Sequence, residues 1–403
     1  MKKTALLSSW SLWLLAAVFY ALDYFQHTAP SVLLAPIAVS LHVSITQVGT
    51  IMSLYFPFYA ISQIPAGILL DRYPLRYVLS GACGVVTLGL WLMMSGHYEG
   101  VLVGRILIAV GSSCAFLGAL KTASLYLPAT VFPIAVGLTN TIGVLGGILG
   151  QAYLNHLILA HGWEAALLRI VFFGIGLSLV LLWALKGKAD KQKHSTHSSR
   201  PWSVLYHPQL WLLALYAGIM VGTVVNAFSE LYDVVFLQQV FHLGSQSAAE
   251  ISSMIFIGIA VGGPSHGVIA KWTGKRAWMI WGCALTLLCF SLMILTTQLA
   301  LPVGILYGLY FLIGFFVSSM LLSFAMVGSL LPKEHQAIGF GLLNMVIGFC
   351  GFVFQWGLGI VLHANAHTLE PHHQVFVKSF LILLIPLLLS LGLVFGVRRE
   401  RQG

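Results

Sequence analysis

The feature that most constrains this chain is a repeat inside long apolar runs. Residues 137–151 read GLTNTIGVLGGILGQ and residues 341–355 read GLLNMVIGFCGFVFQ. They match at Gly137/Gly341, Leu138/Leu342, Asn140/Asn344, Gly147/Gly351 and Gln151/Gln355, 204 positions apart. The same separation carries Gly104 onto Gly308 and Pro128 onto Pro332, while GILLDRYPLR at 67–76 is echoed by GVIAKWTGKR at 267–276. Two similar helix bundles related by an approximate two-fold axis enclose a site that can open to either side of a bilayer.

Composition places the repeat in lipid. With 59% hydrophobic and 8% charged residues, the chain has too little polar surface for a water-soluble globule of 403 residues. The net charge of +9 does not mark a nucleic-acid binder, because the basic residues are scattered through short loops instead of gathered on one soluble face. Cys83, Cys114, Cys283, Cys289 and Cys350 all sit in apolar stretches without metal or redox spacing, so neither a metal nor a cofactor is expected. The N-terminal apolar run continues to Asp23 without a small-residue cleavage site and reads as an uncleaved first span.

A membrane helix needs about 20 mainly apolar residues, and twelve such stretches follow one another. The first covers 9–38, the fifth 131–156 and the seventh 208–238. The expected fold is an all-α membrane protein of twelve transmembrane helices in two pseudo-symmetric six-helix bundles, 1–187 and 208–403. A basic cytoplasmic linker, 188–207, joins them. Lys2, Lys3, Arg72, Arg76, the linker lysines, Lys271, Lys275, Arg276, Lys333 and Arg398 all fall on one side of this topology, which makes that side and both termini cytoplasmic.

GILLDRYPLR, between the second and third spans, resembles the G-x-L-A-D-R-x-G-x-R signature of the major facilitator superfamily, and GVIAKWTGKR occupies the equivalent place in the second half. The resemblance covers essentially the whole chain and implies a secondary transporter. It also implies a cytoplasmic latch made by Gly67, Asp71, Arg72 and Arg76. Asp71, at a helix end, can pair with an arginine or receive another helix's N-terminal dipole. Two departures stand out: Pro74 replaces the signature's glycine, and Lys271 replaces the aspartate in the second copy.

Ionisable residues deep in spans are the site candidates, since each costs roughly 3 kcal/mol at the bilayer centre. Asp23 leads, with Tyr20, Tyr24 and His27 on its face at spacings of three or four. Its two readings are a proton- or cation-binding group and a carboxylate in a structural hydrogen-bond network. Lys121 either snorkels to the interface or offers positive charge to a carboxylate substrate or to Asp23. Arg105, in GRILIAVGSS, resembles the arginine of a second family signature and is expected to act as a gate or coupling residue. Tyr55, Tyr59 and Gln63 recur every fourth residue on the second span. Thr223, Asn226, Glu230 and Asp233 make one polar stripe on the seventh. The repeated Asn140, Gly147, Gln151 and Asn344, Gly351, Gln355 are expected to pack between the halves. The histidines of HANAHTLEPHH at 363–373 lack the cysteine or carboxylate framework of a metal site.

ALDYFQHTAPSV at 21–32 and the 104–129 segment resemble the phagosomal nutrient transporters of intracellular bacteria. That likeness implies amino-acid or short-peptide uptake and a bacterial inner-membrane location; proton coupling through Asp23 and a monomer are expected beside it. The alternatives are transport of organic anions or siderophores, or drug efflux, or a transporter-like membrane sensor. Efflux is disfavoured by the absence of proline in GVLGGILGQ at 143–151, and no nucleophile–base set points to an enzyme.

Overall fold

The computed structural model describes residues 2–43, 45–185, 201–297, 302–366 and 372–398. Most of the expected linker and both extreme termini lie outside these. The described residues are helical almost throughout, because a segment surrounded by lipid must bond its own backbone polar groups.

In chain order the helices of the first half are α1 (Lys2–Thr28), α2 (Pro30–Leu41), α3 (Ile45–Ser53), α4 (Tyr55–Arg72), α5 (Leu75–Met93), α6 (Tyr98–Tyr126), α7 (Phe132–Ile148), α8 (Leu154–His161) and α9 (Trp163–Ala184). The second half holds α10 (Pro208–Val221), α11 (Asp233–Val240), α12 (Ser245–Thr273), α13 (Lys275–Thr296), α14 (Gly304–Val317), α15 (Leu322–Leu330), α16 (Gln336–Ala366) and α17 (His372–Gly396).

Ten helical stretches among the described residues are long and apolar enough to cross a membrane, against the twelve expected. The two remaining stretches are interrupted. The first breaks at Ala29, where Pro30 starts α2, and the fifth is divided into α7 and α8 by a π-helical segment, Leu149–Tyr153. A second, longer π-helical segment, Gly222–Tyr232, lies between α10 and α11.

Two compact units emerge. Unit 1 comprises Met1–Phe132, Thr139–Val204 and Leu331–Gly341; unit 2 comprises Pro133–Leu138, Leu205–Leu330 and Leu342–Gly403. The boundaries differ from a plain division into halves at two places, and the segment 331–341 matters for function below.

Inside unit 1, α5 and α6 approach backbone to backbone. A Cβ on Gly89 would lie 2.6 Å from the Gly104 carbonyl oxygen, and one on Gly104 would lie 2.5 Å from that of Gly89. Small residues permit such closeness, which lipid-embedded helices need because no hydrophobic force drives them together. Inside unit 2, Gly258 and Gly314 bring α12 and α14 together in the same way.

Unit 2 also has a polar brace. The Trp278 indole donates to His266 Nδ1 (2.6 Å), so Nε2 carries the ring proton and donates to the Phe315 carbonyl (2.6 Å). His266 is fully buried and ties α12 to α13 and α14.

Candidate functional site

The strongest sequence candidates meet within unit 1. α1 carries Asp23, 3% exposed; α4 begins with Tyr55; α6 carries Arg105, 2% exposed. The Tyr55 hydroxyl donates to Asp23 Oδ1 at 2.5 Å. The Arg105 guanidinium lies over the face of the same ring, its Cζ 4.6 Å from the centroid. Arg105 also donates to two backbone carbonyls, Gln26 (2.9 Å) and Met52 (3.2 Å). Gln26 sits one turn after Asp23, and Met52 precedes Tyr55 by three residues. The arginine thus clamps α1 and α3 beside the carboxylate without forming a direct ion pair with it.

Aromatic rings extend the site from this point. His27 lies edge-on to Tyr55 (5.5 Å) and to Phe56 (5.1 Å), and stacks on Tyr24 (5.8 Å). Tyr59 stacks on Tyr55 at 5.3 Å. His27 and Tyr59 are half-buried. Gln63, one turn further along α4, is fully buried and neither its amide nitrogen nor its oxygen has a partner. The arrangement can hold a proton on Asp23, sense it through Tyr55 at Arg105, and present ring faces with polar edges to a small solute.

The signature residues form a second cluster. Asp71 and Lys121, both side chains 2% exposed, pair at 2.5 Å. Lys121 Nζ also donates to the Lys333 carbonyl. Asp71 accepts from the first-turn amides of α16, Ala337 N (3.2 Å) and Ile338 N (3.0 Å). An anion at a helix N-terminus meets both unpaired N–H groups and the positive end of the dipole. Gly67, one turn earlier on α4, makes the approach possible: a Cβ there would lie 2.7 Å from the Ala337 carbonyl oxygen and 2.8 Å from Ile338 Cα. Among the described residues Lys121 is bonded to Asp71, neither reaching Asp23 nor snorkelling outward. Arg76 donates to the Tyr77 hydroxyl (2.8 Å) and lies over that ring, and Arg72 is exposed. Pro74 turns the first loop with φ −56° and Gly274 turns the second with φ +83°, so the two copies of the signature reverse the chain differently.

The remaining candidates disperse. The stripe on the seventh span is not continuous. Thr223 is buried and bonds back to the Ile219 carbonyl (2.6 Å), Asn226 donates to Glu230 (2.8 Å), Glu230 is exposed, and Asp233 is buried. The π-helical backbone is the cause, since its wider turn rotates residues off an α-helical face. Gly147, Gly351 and Gln355 of the repeated faces, expected to pack between halves, have neighbours that can be named. Gly147 packs on Tyr24 and Thr28 of α1, whose hydroxyl donates to the Gly147 carbonyl (2.9 Å). Gly351 packs on Asn226, and the Gln355 amide donates to the Asn226 carbonyl (2.8 Å). Asn140 is buried and Asn344 half-buried, while the Gln151 side chain lies outside the described residues. No group of three or more potential metal ligands clusters among the described residues.

The family model of the Major Facilitator Superfamily matches residues 13–355. The chain belongs to that superfamily. A galacturonate transporter of Dickeya chrysanthemi is 25% identical over 227 residues, 50% of this chain and 64% of that one. A hexuronate transporter of Bacillus subtilis (strain 168) is 27% identical over 168 residues, 40% of this chain and 38% of that one. The chain therefore aligns with less than two thirds of the length of either relative. These relatives are named for sugar acids, not for the amino acids or peptides that the phagosomal-transporter resemblance implies. Among solved structures, a bacterial homologue of the iron transporter ferroportin in an outward-facing state superposes with a TM-score of 0.75 at 10% identity, covering 96% of this chain and 99% of that one, which establishes the fold.

Tyr55 was legible only as one of a row of aromatics, yet it joins the carboxylate to the arginine. Asp233 stood in the sequence as the end of a stripe, and nothing in an α-helical spacing separates it from exposed Glu230.

Proposed function

We propose that this superfamily member is a secondary transporter of small organic anions, of which sugar acids are the leading class, working by alternating access with Asp23 as its proton-coupling group. The observation that carries the reading is the buried Asp23–Tyr55–Arg105 array: a carboxylate held by a phenol whose ring face holds a guanidinium. When Asp23 loses its proton, its charge appears beside Tyr55 and attracts Arg105. When it gains one, Arg105 is freer to attract an anionic solute. Proton occupancy and anion affinity are thereby linked through one ring. The polar-edged aromatic surfaces of Tyr24, His27 and Tyr59 suit a polyhydroxylated solute, and the sugar-acid names of the relatives point the same way.

Gly67, Asp71 and Lys121 serve in this reading as a conformational latch, closed while the first turn of α16 lies on α4 and opened when Asp71 releases its two amides.

The test is uptake into proteoliposomes of radiolabelled galacturonate and glucuronate, with threonine and valine as comparators, with and without an inward-directed proton gradient. The expected outcome is gradient-driven accumulation of the sugar acids alone, abolished in Asp23→Asn while exchange persists. Accumulation of an amino acid instead would overturn the substrate class, and undiminished accumulation in Asp23→Asn would remove the coupling role.

A further inference from the structure

Unit 2 holds a buried carboxylate that the transport cycle above leaves unused. Asp233 opens α11 directly after the π-helical segment and is 1% exposed. Its Oδ2 has no hydrogen-bond partner. The Ser252 hydroxyl, from α12, and the Val234 amide act on the carboxyl group. Tyr310, from α14, is fully buried, interacts electrostatically with Asp233, and its hydroxyl has no partner. Ser229, one turn before Asp233 on the π-helical segment, is 4% exposed and its hydroxyl is likewise unpartnered.

The charged and titratable neighbours offer no counter-ion. On the π-helical segment Glu230 is exposed and held by Asn226. On α12 Glu250 is exposed and bonded to Gln246 (3.1 Å) and to Tyr307 (3.3 Å) of α14. From α17 come Phe376 and Phe380, ringed with Phe236 and Phe228, while Lys378 on the same helix is exposed. Among the described residues no cation pairs with Asp233.

An ionised carboxylate in such surroundings is costly, because burial strips its hydration and no cation among the described residues pairs with it. We propose that Asp233 binds a proton at its unpartnered Oδ2 in this conformation and is a second proton site distinct from Asp23. The proton comes from solvent water and no other bond changes. The inference concerns the protein's own proton inventory and stands apart from the choice of substrate.

Infrared difference spectroscopy of the full-length protein in lipid, in H2O and D2O near neutral pH, reads this directly through the C=O stretch of protonated carboxyl groups. The expected result is an acid component, shifted in D2O, that is missing from Asp233→Asn but present in Asp23→Asn and Glu230→Gln. Asp233→Glu, which keeps a titratable acid, should move that component to a new frequency, so the assignment survives even if the asparagine variant fails to fold. Identical acid bands in wild type, Asp233→Asn and Asp233→Glu would overturn the proposal. So would loss of the component on adding sodium chloride but not choline chloride, which would assign a metal-cation site in place of a proton site.

Discussion

The pair between Lys121 and Asp71 lends itself to a double-mutant cycle whose magnitudes follow from its surroundings. Both side chains are 2% exposed and meet at 2.5 Å, so solvent screening takes little from the interaction. Breaking a buried pair from one side strands the other charge at a cost of about 3–5 kcal/mol. The two directions are not equal. Lys121→Met leaves Asp71 with the Ala337 and Ile338 amides, which still stabilise the carboxylate, so the loss should sit near the lower end, about 3 kcal/mol. Asp71→Asn leaves a buried ammonium with the Lys333 carbonyl and weakens both amide bonds, which places it near the upper end, about 5 kcal/mol. The double variant strands no charge; it weakens two amide bonds, at about 1–1.5 kcal/mol each, for a total of roughly 3 kcal/mol. The cycle should therefore close about 5 kcal/mol short of additivity, a larger coupling than most contacting pairs give because each single variant buries a lone charge. The assay is equilibrium unfolding of the purified protein in mixed micelles, followed by tryptophan fluorescence. A double variant as unstable as the sum of the singles would refute the reasoning, since the two charges would then be independent.

Other substitutions test other contacts. Gly67→Ala should push the first turn of α16 away from α4, because the new Cβ lies 2.7 Å from a backbone oxygen; a cysteine placed at Ile338 should then react faster with maleimide, the five native cysteines being buried. His266→Ala should leave the Trp278 indole and the Phe315 carbonyl unsatisfied, at about 1–3 kcal/mol each, seen as a lower unfolding midpoint. Tyr55→Phe removes the donor to Asp23 while keeping the ring under Arg105, so it should impair gradient-driven uptake more than exchange, read in the proteoliposome assay above.

Much of this architecture was legible because lipid imposes a simple rule: apolar runs of spanning length must be helices. Where helices break, the rule says less. The twelve-span reading treated 9–38 and 131–156 as continuous, whereas Pro30 and the π-helical segment at Leu149–Tyr153 divide them. Asp23, Arg105 and Asp71 stood out because a charge inside an apolar run is rare. Their partners did not, since Tyr55, the Gln26 and Met52 carbonyls and the α16 amides belong to residue types and backbone groups present everywhere. The repeat does not extend to every contact. Gly104 packs on Gly89, but its counterpart Gly308 has nothing within 4 Å, so a shared glycine records ancestry without guaranteeing a shared contact.

The same divergence explains where the buried charges fall. In unit 1 Asp23 and Arg105 share Tyr55, and Asp71 and Lys121 pair directly, so each buried charge there has an answering group. The second copy of the signature carries Lys271 where the first carries Asp71, and an exposed lysine at a helix C-terminus cannot accept from backbone amides. Unit 2 instead has Asp233, buried without a cation, and a neutral histidine bonded at both nitrogens. In the proposal above, a proton neutralises that carboxyl group. The two repeats therefore keep one helical plan while answering buried charge differently: among the described residues a cation lies near each buried carboxylate of the first, and none pairs with Asp233 in the second.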